Sequence, residues 1–175
     1  FLVMPNCIFF ADKSMLRLPM QYLLYLLILI PVLTHAQASR DTLTVIGVGD
    51  IMMGTNYPED KLPPANGAML MQGVDSVLRN TTITFGNLEG TLLDTGGTPK
   101  TCKDPSVCYV FRTPVRYVDN LLKAGFDVMS LANNHAGDFG EAGRRSSMKT
   151  LSDAGIEHAG QTTKPFTIFT RDSVT

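Results

Sequence analysis

Three short clusters in the chain gather side chains that could hold a cation or move a proton: Gly49-Asp50, Asn87-Leu88-Glu89-Gly90 and Asn133-Asn134-His135. Two carboxylates, several carboxamides and one imidazole supply the oxygen and nitrogen donors that a divalent Mn, Fe, Mg or Zn ion takes. The same set could run acid–base chemistry with His135 as the proton carrier. Each cluster also has a plainer use. Asp50 can cap a turn, Asn87 to Gly90 can form a turn with a solvated Glu89, Asn133 and Asn134 are good turn formers, and His135 can simply open a helix. What sets the three apart is their shared position, because each directly follows a segment of strand character.

Those segments are Leu43 to Val48, rich in β-branched residues and closed by Gly49-Asp50, then Thr82 to Phe85, then Asp127 to Leu131. Helical patterns lie between them. Leu70, Val74, Val77 and Leu78 fall at i, i+4, i+7 and i+8 and predict a first helix. Thr113-Pro114 predicts an N-cap with Pro at the first helical position; Val115, Val118, Leu121 and Leu122 share one face, and Gly125 is the stop. Asp138 with Glu141 three residues on predicts a capping-box start, Met148 and Leu151 supply the apolar contacts, and Ala154-Gly155-Ile156 ends the third helix. A last strand is predicted over Phe166 to Thr170, after which the sheet looks unfinished. Alternation of this kind predicts a layered α/β fold with parallel strands, whose carboxyl ends lie along one edge and so bring the three clusters into a common crevice.

The motifs also carry a family resemblance. Gly49-Asp50-Ile51-Met52-Met53-Gly54, Asn87-Leu88-Glu89-Gly90, Ala132-Asn133-Asn134-His135-Ala136-Gly137-Asp138-Phe139-Gly140 and Ala154-Gly155-Ile156-Glu157-His158-Ala159-Gly160 occur in the order seen in the CapA family of bacterial capsule synthesis proteins. The chain resembles that family from about Leu43 to Phe169. CapA proteins are associated with poly-gamma-glutamate capsules and belong to the calcineurin-like metallophosphoesterase superfamily. The resemblance implies a partial metallophosphoesterase-like α/β/β/α sandwich, truncated at the C-terminus. It implies metal ligation by Asp50, Asn87, Glu89 and Asn134, a catalytic His135 that meets the leaving group, and one or two divalent metal ions. Two positions depart from the general superfamily: Met52 stands where it has a histidine, and the neutral Asn87 stands where an aspartate usually bridges two metals. The implied function is capsule polymer synthesis or export through a metal-dependent hydrolase-type site. The fragment itself is expected to be inactive, because the superfamily's later histidine motifs have no counterpart here. The alternative is a non-catalytic accessory protein that keeps the fold and binds the anionic polymer or its synthase complex.

Composition narrows the partners. Fifteen basic and 16 acidic side chains give a net charge of −1 over 175 residues, which offers no overall attraction to nucleic acid. No phosphate-cradling G-x-x-x-x-G-K-[ST] loop is present, which excludes an ATP-using ligase built on that loop. Tyr22 to Leu33 form an apolar run of 12 residues, with Arg17 before it and Thr34-His35-Ala36-Gln37-Ala38 after it. Such a run reaches only about 18 Å, short of a bilayer core, and reads as a signal peptide cleaved after Ala38. Residues 1–38 are therefore upstream sequence and signal, and 39–175 form the domain. The mature protein is expected in the periplasm, at the cell surface or outside the cell, touching membrane only through the signal or an uncleaved anchor. In that oxidising setting Cys102 and Cys108 are expected to form a loop-pinning disulfide. Cys7 precedes the signal. His158 reads as structural, and Arg144, Arg145 and Lys149 as a solvated helix surface.

Overall fold

The computed structural model describes residues 42–171. The apolar run, the expected cleavage site and Cys7 lie outside the described residues. In chain order the elements are β1 (Val45–Ile51), α1 (Asp75–Leu78), β2 (Ile83–Leu88), β3 (Thr91–Leu92), β4 (Arg112–Thr113), α2 (Val118–Ala124), β5 (Val128–Ser130), α3 (Gly140–Asp153) and β6 (Glu157–Ala159), with short 3-10 turns between some of them. Strands β1, β2, β5 and β6 form a sheet in that order, every neighbouring pair parallel, and β3 pairs with β4 in a two-stranded parallel ribbon. The architecture is thus a mixed α/β fold on a parallel sheet, consistent with part of a metallophosphoesterase-like fold. Because the order advances in one direction, right-handed crossovers carry their connections over the same face. No helix among the described residues is long and apolar enough to cross a membrane.

The core forms where sheet and connections meet. Leu92, Leu121, Ala124, Met129 and Leu151 are fully buried there, together with Tyr117, Leu131 and Ile156. Gly86 allows the close packing at this point, since a Cβ on it would collide with the Ile51 side chain. The stop at Gly125 is as the sequence predicts: it adopts φ 85° and its N–H closes the last turn of α2 on Leu122.

Several elements differ from the sequence pattern. Strand β1 starts two residues later than predicted and runs on to Ile51, past a register irregularity between Gly47 and Asp50, so Asp50 lies inside the strand paired with Asn87. The helix expected over Leu70 to Leu78 shrinks to the four residues of α1, preceded by turns. Gly73 lies in that stretch, Val74 provides no side-chain cap, and Leu70, Val74 and Val77 stay exposed. Thr113 belongs to β4 and donates its hydroxyl to the Gly54 carbonyl at 2.6 Å; Pro114 opens the 3-10 turn before α2 instead. Asp138 does not cap α3, whose N-cap is Phe139 without a side-chain hydrogen bond. Phe166 to Thr170 forms no strand; the strand that follows α3 is β6, a segment too short and polar to show in the pattern. His158 sits within β6.

Candidate functional site at the carboxyl ends of the strands

Parallel pairing places Asp50 and Asn87 side by side across β1 and β2, and Asn87 beside Ser130 across β2 and β5. The chain then turns just beyond each strand end and delivers Glu89 and Asn133 to the same rim. The resulting contacts are continuous. The Asn87 amide donates to Asp50 Oδ1 at 2.7 Å and to Glu89 Oε2 at 3.3 Å. Asn133 Nδ2 donates to Asn87 Oδ1 at 3.0 Å and to the Leu88 carbonyl at 2.9 Å, while its Oδ1 accepts the His135 backbone N–H at 3.0 Å. This last contact is a side-chain turn that sets where His135 leaves the backbone.

His135 is held from two sides. Its Nδ1 lies 2.8 Å from Asp138 Oδ2, and its Nε2 lies 3.7 Å from Glu89 Oε1. Asp138 is entirely buried, and Oδ2 also accepts the Phe111 backbone N–H at 2.7 Å. The second oxygen, Oδ1, has no hydrogen bond of good geometry and is balanced by the Lys100 ammonium 2.6 Å away. A buried carboxylate needs such compensation, since an unpaired one would cost several kcal/mol, on the order of the protein's whole stability. Two groups meet Nδ1: the Asp138 carboxylate at 2.8 Å, an acceptor, and the Lys100 ammonium at 3.3 Å, a donor; the shorter contact favours the proton on Nδ1, which leaves Nε2 as the working nitrogen of the neutral ring. Phe111 packs on the imidazole with ring centroids 4.4 Å apart and fixes its plane.

The loop that supplies Lys100 and Phe111 is pinned by a bond between Cys102 and Cys108. Both of its flanks converge on one residue: the Lys100 backbone N–H donates to the Asp138 carbonyl at 2.8 Å, and Phe111 donates to the Asp138 side chain. The disulfide thus shortens the chain that must be ordered to bring these two groups to Asp138.

Of the site residues expected from sequence, the structure brings together Asp50, Asn87, Glu89 and His135. Asn134 lies between Asn133 and His135 but is exposed, and its side chain makes no hydrogen bond among the described residues. The carboxamide in the network is Asn133. Sequence reasoning missed Asp138 and Lys100 as site residues. The Asp138 signal was present, three residues after His135, but a capping role absorbed it; Lys100 sits in an irregular loop where no periodicity points to it. His158, fully buried in β6, is remote from these contacts, and loss of water around its ring holds its pKa below the usual value. On α3, Arg145 and Lys149 pair with Glu141 and Asp153 on the surface, whereas Arg144 turns to Gln161 Oε1 at 2.7 Å.

As a centre for a divalent cation the donor set does not fit in this arrangement. The two rim carboxylates are bridged by N–H groups of Asn87, whose polarity is that of a donor, not of a ligand. Among the described residues no three His, Cys, Asp or Glu side chains are gathered in a way that could hold a metal ion.

Comparison with known proteins agrees with this set of motifs. Residues 44–168 match the family model of the bacterial capsule synthesis protein PGA_cap. The chain is 32% identical over 124 residues to each of two Sinorhizobium fredii proteins, y4sH and y4uA, covering 69% of this chain and 25% of each relative. It is 31% identical over 124 residues to the capsule biosynthesis protein CapA of Bacillus anthracis, covering 69% of this chain and 29% of that protein. The chain therefore spans about a quarter of the length of these curated relatives. With the match running through every strand of the parallel sheet and all three polar clusters, the chain belongs to the PGA_cap family of bacterial capsule synthesis proteins.

Proposed function

We propose that this domain serves capsule polymer synthesis or export outside the cytoplasm, through a hydrolase-type proton-transfer centre built on His135. The observation that carries this reading is the imidazole fixed between the buried Asp138 on its Nδ1 side and Glu89 on its Nε2 side. Asp138 favours the proton on Nδ1, the Lys100 ammonium pairs with Asp138, and Nε2 is left to take a proton from, or give one back to, a group at the rim. At 3.7 Å Glu89 Oε1 is too far to hydrogen-bond Nε2 directly and leaves that nitrogen without a direct partner. The reaction class is cleavage or transfer at an ester or related bond of the polymer or its carrier: Nε2 takes a proton from the attacking water or hydroxyl as that oxygen bonds to the ester centre, and returns it to the departing oxygen as its bond breaks. Export is supported by the disulfide, which persists in oxidising compartments.

A polymer-binding accessory role finds less support at this rim. Asp50 and Glu89 are taken up by the Asn87 amide and the Lys100 ammonium by Asp138, so these rim groups leave no cation to grip an anionic polymer. The test is polymer production in the native host with His135→Ala in place of the wild-type sequence, at matched protein abundance. Removing a positioned general acid costs about 10²–10⁴ in rate, so polymer should fall at least tenfold. Unchanged polymer at wild-type abundance contradicts the proposal.

A further inference from the structure

The orientation of Asn87 follows from backbone groups at one remove. The Leu88 carbonyl can only accept, so the Asn133 atom 2.9 Å from it must be the amide nitrogen; the His135 N–H can only donate, so the Asn133 atom 3.0 Å from it must be the oxygen. Asn133 is thereby fixed both ways round. Its nitrogen also lies 3.0 Å from the Asn87 carboxamide and must meet an oxygen there, which turns the Asn87 nitrogen toward the acids. From the other side, Asp50 Oδ1 and Glu89 Oε2 are acceptors and require that same nitrogen. Both hydrogens of the Asn87 amide are therefore spent on the two carboxylates. Turning Asn87 over to offer its oxygen to a cation would set its NH2 against that of Asn133 and strip the acids of their donors.

We infer that the Asn87 amide takes the place of a cation between Asp50 and Glu89, so that this rim is assembled without a resident divalent metal. The inference concerns the acids of the proposed centre, but it stands or falls on cation binding and does not depend on turnover at His135. It also specifies a gain of function. Asn87→Asp keeps an oxygen for Asn133 and turns the other into a third carboxylate facing Asp50 and Glu89, a cluster that needs a cation to neutralise it.

The experiment is Mn2+ titration of the metal-stripped full chain, followed by calorimetry and by the electron paramagnetic resonance signal of free Mn2+. Wild-type protein should show no saturable binding that depends on Asp50. N87D should bind one Mn2+ at least about 100-fold more tightly, as expected when a charged ligand is added to a hard-cation site. Adding Asp50→Asn to N87D should abolish that site. One Mn2+ bound by wild type and lost in Asp50→Asn overturns the inference, as does a folded N87D with no gain. Should N87D fail to fold, the comparison of wild type with Asp50→Asn decides alone. The polymer assay on His135→Ala is separate, so either proposal can fail without the other.

Discussion

The polar rim and the apolar segment that runs into α1 lie at opposite extremes of how sequence specifies structure. At the rim every contact is directional: Asn133 can satisfy Leu88 and His135 in only one orientation, and that orientation dictates the next residue. Along Leu70, Val74 and Val77 the apolar spacing is regular, yet these side chains remain 41%, 49% and 60% exposed and border an apolar cavity of about 500 Å3 beside Val48, Met52 and Phe126. A hydrophobic pattern states which face would be buried; it does not supply the surface that buries it. Hydrogen-bonding groups at the ends of strands carry their own geometry and need only the neighbouring strand to be in register.

The largest effect should come from breaking the rim at its buried anchor. Asp138→Ala strands the Lys100 ammonium, the Phe111 N–H and His135 Nδ1. Loss of one partner of a buried pair costs about 3–5 kcal/mol, and the partial exposure of Lys100 argues for about 3. Urea denaturation should show a midpoint lowered accordingly, and an unchanged midpoint would mean that Asp138 does not organise the rim.

A smaller effect, of opposite character, is expected from acid. His158 is held neutral by burial, with Lys164 adding repulsion, so its folded pKa lies below the ordinary 6.5. Stability is fully present above that value and falls as pH drops through it, because the unfolded chain then takes up a proton that the folded chain refuses. Glu157, accepting from Thr167 at 2.6 Å and so held below the ordinary 4.5, adds a second loss only at lower pH. His158→Gln should remove the upper part of this decline in urea midpoint against pH while leaving the lower part. If the decline near pH 6 survives in that variant, another group is responsible.

The smallest effect should be at the apolar segment. Val77→Ser changes a 60% exposed side chain and should shift stability by no more than about 0.5 kcal/mol. A loss near 2 kcal/mol would show that the segment is covered in solution, which would bring the two regions closer in kind.

These contrasts also explain what could be read from the chain alone. The parallel α/β plan was legible because Val45 to Val48, Ile83 to Phe85 and Val128 to Leu131 carry strand character and Gly125 ends a helix where a left-handed residue is required. Convergence of Asp50, Asn87, Glu89 and His135 followed from that plan, since parallel strands share one carboxyl edge. Asp138 was misplaced because an Asp before a helix has two good uses, capping and charge pairing, and only the fold brings Lys100 and Phe111 to it. Asn133 and Asn134 are chemically identical neighbours, and which one enters the network depends on a turn that no residue type announces. Strand β6 escaped because three residues are too few to show alternation, and pairing with β5 supplies what the pattern lacks.

The most direct test of the rim is the tautomer of His135. Long-range 1H–15N correlation of the neutral ring should show the proton on Nδ1 and a bare Nε2, with the Nδ1 proton signal lost or moved in Asp138→Asn. A neutral ring carrying its proton on Nε2 would contradict the account, because Asp138 would then have no proton to accept and His135 no free nitrogen to work with.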